Sequence, residues 1–280
     1  MPHNDLARHI RANVAAALAE DIGEGDLTAK LIPEHTQARA TVITREAAML
    51  CGSLWFEECF LTLDPDCRIT WQVQEGAAAA PNQVLCEIHG DARAMLSAER
   101  PALNFLQTLS ATATLTRRYV EAIQGMQAKI MDTRKTLPGL RIAQKYAVQV
   151  GGGYNQRIGL FDGVLIKENH IAAAGSIGAV MEHAFQITPP GTSIQIEVET
   201  LAQLDEALNA GARLILLDNF PLAEMRIAVT HARGRAELEA SGGISLENVR
   251  LVAETGVDRI SIGALTKDVQ AIDLSMRFEA

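Results

Sequence analysis

Hydrophobic and polar positions follow two different rhythms along the chain. An opening stretch places Leu6, Ile10, Val14 and Leu18 four apart, the spacing of an amphipathic helix. Up to about residue 100, strand-like runs (Ala38 to Thr44, Arg68 to Val73, Gln83 to Ile88) are separated by turn signals such as Asp64-Pro65 and Ala80-Pro81-Asn82. This pattern predicts a small α+β domain. Pro101 is placed to open a helix, which Leu103, Leu106 and Leu109 carry on to about Gly125. That helix is expected to link two domains.

Beyond Gly125, short apolar runs end in polar residues and give way to helical stretches. The runs begin at residues 129, 163, 194, 213, 237 and 259, spaced for strand-helix-strand units and too far apart for hairpins. Helical connectors are visible in Leu201 to Ala210 and in Leu246 to Thr255, the second ended by Gly256. Six parallel strands follow, and an incomplete β/α barrel is their natural closure. In such barrels the working groups sit where strands end. Here the run ends carry Asp132, Thr133, Arg134 and Lys135; Lys167, Asn169 and His170; Glu197 and Glu199; Asp218 and Asn219; Ser241-Gly242-Gly243; and Ser261-Ile262-Gly263. Any one of these could be a cap or a solvated end, but six in register point to a rim.

Composition narrows the partners. The chain has 280 residues and a formal net charge of −9, which argues against a general nucleic-acid partner. No apolar run approaches the length of a membrane span, and the opening stretch lacks a signal-peptide pattern. Cys51, Cys59, Cys67 and Cys86 show no metal-ligand spacing, so they read as reduced, packed thiols of a cytoplasmic protein. Within this acidic chain, Lys129 to Lys167 holds seven cations and two acids. A small polyanion carrying phosphates or several carboxylates is the expected ligand.

The two glycine turns, Ser241-Gly242-Gly243 and Ser261-Ile262-Gly263, fall at neighbouring strand ends where β/α barrels commonly hold a phosphate. In Ile194 to Glu199 the alternation puts Gln195, Glu197 and Glu199 on one face and the aliphatics on the other. If the aliphatic face packs on helices, two carboxylates point inward, with Asp218 close by on the next strand. Such carboxylates suit a Mg²⁺ that keeps several waters and bridges to a polyphosphate, or a salt bridge. Residue chemistry alone therefore reaches a phosphate-using β/α-barrel enzyme. An aldolase or decarboxylase that uses Lys167 as a Schiff-base amine remains open beside a transferase, as does a non-catalytic homologue.

Longer motifs go further. Gly25-Asp26-Leu27-Thr28, Glu99 to Asn104, Asp132-Thr133-Arg134-Lys135-Thr136-Leu137-Pro138-Gly139, Gly151 to Asp162, Lys167-Glu168-Asn169-His170, Glu197-Val198-Glu199, Leu216 to Asn219, Ser241 to Gly243 and Ser261 to Thr266 resemble, in order and over nearly the whole chain, the quinolinate phosphoribosyltransferase family. The resemblance implies an α/β fold in which an incomplete, six- to seven-stranded β/α barrel (111–267) follows an N-terminal α/β sandwich domain (1–110), with the tail 268–280 packing on the latter. It implies transfer of phosphoribose from 5-phosphoribosyl 1-pyrophosphate to quinolinate with decarboxylation, in NAD biosynthesis, without an organic cofactor; a paralogue with a different acceptor is the variant of this reading. It further implies a homodimer or dimer-based hexamer in which Arg100 acts across the interface.

By the same resemblance Thr133, Arg134, Lys135, Arg157, Lys167 and His170 surround the two substrates. Glu197 and Asp218 hold the ribose hydroxyls and Mg²⁺, and Ser241, Gly242, Gly243, Ser261, Ile262 and Gly263 hold the 5-phosphate. Lys135, Glu197 and Asp218 are the residues expected to act in catalysis. Two positions depart from the family pattern. Gln156 stands before Arg157 where His is usual, and Ser110-Ala111-Thr112-Ala113-Thr114 replaces a Ser-Gly-Ile-Ala-Thr pattern, with packing consequences only.

Overall fold

The computed structural model describes residues 3–279, with side chains from residue 5. Residues 1, 2 and 280 of the two expected terminal ranges lie outside it. The chain divides into two compact units, 1–117 with 136–152 and 268–280, and 118–135 with 153–267.

The first unit begins with α1 (His3–Ile22), whose Ile10, Val14 and Leu18 are buried as their spacing predicts. Then come β1 (Gln37–Thr44), β2 (Ala48–Met49), α2 (Ser53–Leu63), β3 (Arg68–Trp71), β4 (Ala78–Ala79) and β5 (Val84–Asp91). Helix α3 (Ala92–Ala122) starts nine residues before Pro101 and carries that proline inside it. Asp91 explains the early start: its Oδ1 accepts the Ala94 N–H at 3.0 Å, capping the first turn. A buried stripe including Met95, Ala98, Leu103, Leu106 and Leu109 then outweighs the one backbone bond that Pro101 cannot make. The division between the units falls within this helix, at Arg117/Arg118.

In the second unit β6 (Lys129–Met131) follows, and the chain returns to the first unit for α4 (Arg141–Val150). Tyr146 on α4 meets Trp55 with ring centroids 5.4 Å apart, in a core that also holds Phe56, Phe60, Leu85 and Ile88. The Ser110 to Thr114 stretch contributes as packing. The Ser110 hydroxyl accepts the Cys51 N–H at 3.0 Å and donates to its carbonyl, and Thr114 accepts the Met49 N–H at 2.8 Å.

The second unit continues with β7 (Gly163–Ile166), α5 (Glu168–Ala174), α6 (Ile177–Ile187), β8 (Ser193–Val198), α7 (Leu201–Asn209), β9 (Leu214–Asp218), α8 (Leu222–Ala232), β10 (Glu237–Ser241), α9 (Val249–Ala253), β11 (Arg259–Ser261) and α10 (Ala264–Lys267). The last strand, β12 (Leu274–Phe278), belongs to the first unit. There it pairs antiparallel with β1, giving the order β12-β1-β5-β3.

All six strands of the second unit are parallel, in the order β7-β8-β9-β10-β11-β6. The first strand thus pairs with the last, as in a barrel, while no ladder joins β6 to β7 among the described residues. A single parallel bridge, Met131 to Tyr154, occupies the outer edge of β6. Ile196, Val198, Ile215, Leu217, Leu238, Ala240 and Ile260 are buried beside Leu204, Met225, Ala228 and Val249 of the covering helices. Period-two alternation turns their neighbours to the other face, where the functional groups lie.

Candidate active site

A cavity of about 170 Å³ opens among the strand ends of the second unit. Its lining takes Leu165 from β7, Gln195 and Glu197 from β8, Leu216 from β9, Glu239 and Ser241 from β10 and Ser261 from β11, with Asp132 to Lys135 following β6. Gln156, Arg157 and Lys167 complete it. Of the expected site residues, the structure therefore brings Thr133, Arg134, Lys135, Arg157, Lys167, Glu197, Ser241 and Ser261 together.

Four cations share this wall. Lys167 Nζ lies 2.8 and 3.2 Å from the two carboxylate oxygens of Glu197. Arg157 Nη1 donates to the Gly163 carbonyl at 2.9 Å. Partial burial, and then the like charge of Arg134, push the Arg157 guanidinium below its ordinary value. Two guanidinium groups that repel each other inside one cavity form a seat for an anion. Lys135 is positioned through its backbone: its N–H reaches Thr133 Oγ1 at 3.0 Å and its carbonyl accepts the Thr266 hydroxyl at 2.7 Å.

Asp218 pairs in register with Ser241 at the ends of β9 and β10, and its Oδ2 accepts from Asn219 Nδ2 at 3.0 Å. Gly242 has φ +99°, and a Cβ there would stand 2.1 Å from Asn219 Oδ1. Glycine is thus required for this turn to lie against Asn219. A Cβ on Gly263 would stand 3.3 Å from Lys135 Cδ, so that loop adjoins the lysine. Asp218, Gly242, Gly243, Ile262 and Gly263 border the cavity's strand ends without lining it. His170 stands on α5, its Nδ1 accepting the Lys167 N–H at 3.0 Å, and is exposed outside the lining. Arg100 stands on α3 in the first unit, with Glu99 3.9 Å away.

One expectation fails. Glu199 does not point inward beside Glu197: β8 stops at Val198, Thr200 caps α7 by accepting the Gln203 N–H, and Glu199 is exposed. A further inward carboxyl is Glu239, fully buried, to which Gln195 Nε2 donates at 3.0 Å. Strand ends do not single Glu239 out. The alternation in Glu237-Leu238-Glu239-Ala240-Ser241 carries the same signal that identifies Glu197.

No cluster of three or more His, Cys, Asp or Glu capable of caging a metal occurs among the described residues. Glu197 and Asp218 stand on adjacent strands and the same face, Asp218 two residues beyond Leu216, the register partner of Glu197. Two carboxylates in this arrangement suit an ion that keeps several waters.

Comparison with known proteins agrees with this architecture. Residues 26–110 match the quinolinate phosphoribosyl transferase N-terminal domain and residues 112–277 its C-terminal domain. The probable nicotinate-nucleotide pyrophosphorylase [carboxylating] of Bacillus subtilis (strain 168) is 43% identical over 257 residues, covering 92% of this chain and 89% of that one. The nicotinate-nucleotide pyrophosphorylase [carboxylating] of Mycobacterium leprae (strain TN) is 41% identical over 276 residues, covering 95% and 96%. Among solved structures, the nicotinate-nucleotide pyrophosphorylase of Francisella tularensis superposes with a TM-score of 0.94 at 44% identity, over 98% of this chain and 97% of that one. The domain order, the strand-end motifs and these likenesses agree, and the chain belongs to the quinolinate phosphoribosyltransferase family.

Proposed function

We propose that the chain transfers phosphoribose from 5-phosphoribosyl 1-pyrophosphate to quinolinate with loss of CO₂, yielding nicotinate mononucleotide for NAD biosynthesis. The observation that carries this reading is the cavity wall itself. Arg134, Lys135, Arg157 and Lys167 converge on one space, with a carboxylate, Glu197, ion-paired at its edge. Cations in that number suit a dianionic pyridine and a pyrophosphate leaving group.

In the reaction the C1–O bond of the ribose breaks and its electron pair leaves with pyrophosphate. The pyridine nitrogen forms the new bond to C1 through its lone pair. The C2–carboxylate bond then breaks, CO₂ departs, and the quaternised nitrogen stabilises the electron pair left at C2 until water supplies a proton. The protein's part is placement and electrostatic stabilisation. Arg134, Arg157 and Lys135 hold the acceptor carboxylates and the departing charge. Glu197 and Asp218 take the ribose hydroxyls as cationic character develops at C1, and Lys167 orients Glu197. The loops Ser241 to Gly243 and Ser261 to Gly263 receive the 5-phosphate on backbone N–H groups. Gly243, at φ +58° with open space where a Cβ would be, supports this role.

Glu197 and Asp218 would hold Mg²⁺, whose charge would neutralise the pyrophosphate. No organic cofactor is needed. The chain works as a homodimer or a dimer-based hexamer with a shared site, to which Arg100 contributes from the partner. Four free buried thiols support a cytoplasmic enzyme, and among the described residues no helix is long and apolar enough to cross a membrane.

A coupled assay with 5-phosphoribosyl 1-pyrophosphate, Mg²⁺ and either quinolinate or nicotinate tests the reading. Nucleotide and CO₂ from quinolinate alone are expected; product from another pyridine only would overturn the acceptor assignment. For the shared site, mixing Arg100→Ala with Asp218→Ala chains should restore part of the activity, because one composite site then holds both native residues. No restoration, with subunit exchange verified, would overturn it.

A further inference from the structure

Glu239 lines the cavity from β10 in a setting the transfer chemistry above does not use. Its carboxyl is wholly buried on β10. Oε2 accepts from Gln195 Nε2 at 3.0 Å and from Gln156 Nε2 in a short contact, while Oε1 has no hydrogen-bond partner. Among the described residues, no cation is hydrogen-bonded to it. Arg259, its register partner on β11, turns instead to Glu237 at 2.5 to 2.9 Å. Ser261 on β11 faces it with a hydroxyl, β9 offers Leu216, β8 offers the neutral Gln195, and Asp132 beyond β6 accepts the Gln156 backbone N–H at 2.7 Å.

A buried carboxyl without a cationic partner costs stability as an anion, and far less as the neutral acid. Burial accordingly raises the Glu239 carboxyl above its ordinary value, with the two amides, Ser261 and Arg259 acting in the opposite direction. What this arrangement achieves is local. Gln156 is pinned at both ends, its backbone by Asp132 and its side chain by Glu239. The next residue is Arg157, whose guanidinium lines the cavity.

We propose that Glu239 is a positioning residue that, by holding the Gln156 amide from below, sets where Arg157 meets the acceptor carboxylates. The proposal rests on the quinolinate reading above. It also accounts for the departure from the family pattern at position 156. An amide there needs only an acceptor atom beside it, and the Glu239 carboxyl supplies one. Gln195 donates to the same oxygen and completes a floor of two amides and one acid.

Steady-state kinetics of the full chain, with quinolinate and 5-phosphoribosyl 1-pyrophosphate varied separately, test it. Glu239→Ala and Gln156→Ala should each raise the quinolinate KM about tenfold, the scale of one lost buried hydrogen bond, and leave the donor KM near the wild-type value. The double variant should be no worse than either single one, because both changes break one contact. Glu239→Gln keeps the shape and an acceptor oxygen for Gln156, and should restore the quinolinate KM.

Equal rises in both KM values, additive losses in the double variant, or a Glu239→Gln chain as impaired as Glu239→Ala would each overturn the proposal. If Glu239→Ala does not fold, Gln156→Ala and Glu239→Gln carry the test alone, and an unchanged quinolinate KM in Gln156→Ala overturns it. A folded wild-type chain silent with quinolinate would overturn the functional reading and this proposal together. An active wild type with an unaffected Glu239→Ala would overturn only the proposal.

Discussion

Lys167 and Glu197 meet across the ends of neighbouring strands, with the ammonium nitrogen 2.8 Å from one carboxylate oxygen and 3.2 Å from the other. Lys167 closes the run of β7, Glu197 lies on the inward face of β8, and parallel pairing of the two strands brings them level. The lysine side chain is half exposed, so the pair contributes only about 0–1 kcal/mol to folding. Its value is to fix the carboxylate. Glu197→Gln should therefore leave the thermal midpoint nearly unchanged while lowering kcat/KM for the phosphoribosyl donor by about 10²-fold. Parallel melting and kinetic measurements check this, and an equally stable, fully active variant would remove Glu197 from the mechanism.

Lys135 is exposed, and it is held through its backbone by Thr133 and Thr266. Lys135→Ala leaves those backbone contacts in place and removes only the side chain that reaches the cavity. Turnover should be abolished with thermal stability nearly intact. A folded variant with normal kcat would contradict the assignment of Lys135 to catalysis.

Gly242→Ala and Gly243→Ala separate crowding from backbone strain. Both positions have positive φ, which costs an alanine about 1 kcal/mol. Only Gly242 is also crowded, with Asn219 Oδ1 at 2.1 Å and the Asn219 backbone nitrogen at 3.0 Å from its would-be Cβ. Gly242→Ala should cost about 2 kcal/mol or more, and it should lose activity because Asn219 carries the contact to Asp218. Gly243→Ala should lose about half as much stability or less. Chemical denaturation of the two variants decides the order.

Burial pushes the Cys59 thiol up to about 12 and the Cys67 thiol up to about 11, with Cys51 and Cys86 raised by the same cause. Since the thiolate is the reactive form, a disulfide probe at about pH 8 should leave all four thiols unlabelled in the native chain and label all four in denaturant. Rapid labelling of any native thiol would reveal local opening of the first unit.

The buried Glu239 carboxyl has a defined linkage to pH. Its folded-state value lies above the ordinary 4.5, so from about pH 4.5 upward the unfolded chain releases this proton before the folded one does. Folding stability contributed at this site therefore falls as pH rises, until the folded carboxyl itself titrates. Glu239→Gln removes the titration. Its stability relative to wild type should increase as pH rises above about 4.5, measured by denaturant unfolding of both chains. A pH-independent difference would mean that Glu239 titrates like an exposed carboxylate.

Much of the site is legible in the residues because the signals are local. A parallel strand between helices reads as a short apolar run, and the residue that ends it is a rim residue wherever the strand sits. Lys167, Glu197 and Asp218 can therefore be located by counting along the chain. The alternation of Gln195 and Glu197 against Ile194 and Ile196 is equally local, because side chains of a strand must point to opposite faces.

Other features depend on contacts far apart in sequence. That β8 ends at Val198 and sends Glu199 outward follows from Thr200 capping α7, and that Pro101 lies inside a helix follows from Asp91 capping it and from the packing of its apolar stripe. Whether α4 joins the first unit, and whether β12 returns to β1, depends on which surfaces remain to be buried once the rest of the unit has formed. The sequence by itself determined the family, the parallel strand pattern and most of the rim, because side-chain period and strand-end chemistry are written within a few residues. Only the tertiary structure decided that Glu199 turns outward while Glu239 faces the cavity and bonds Gln156, because a buried partner 83 positions away is chosen by strand order and packing.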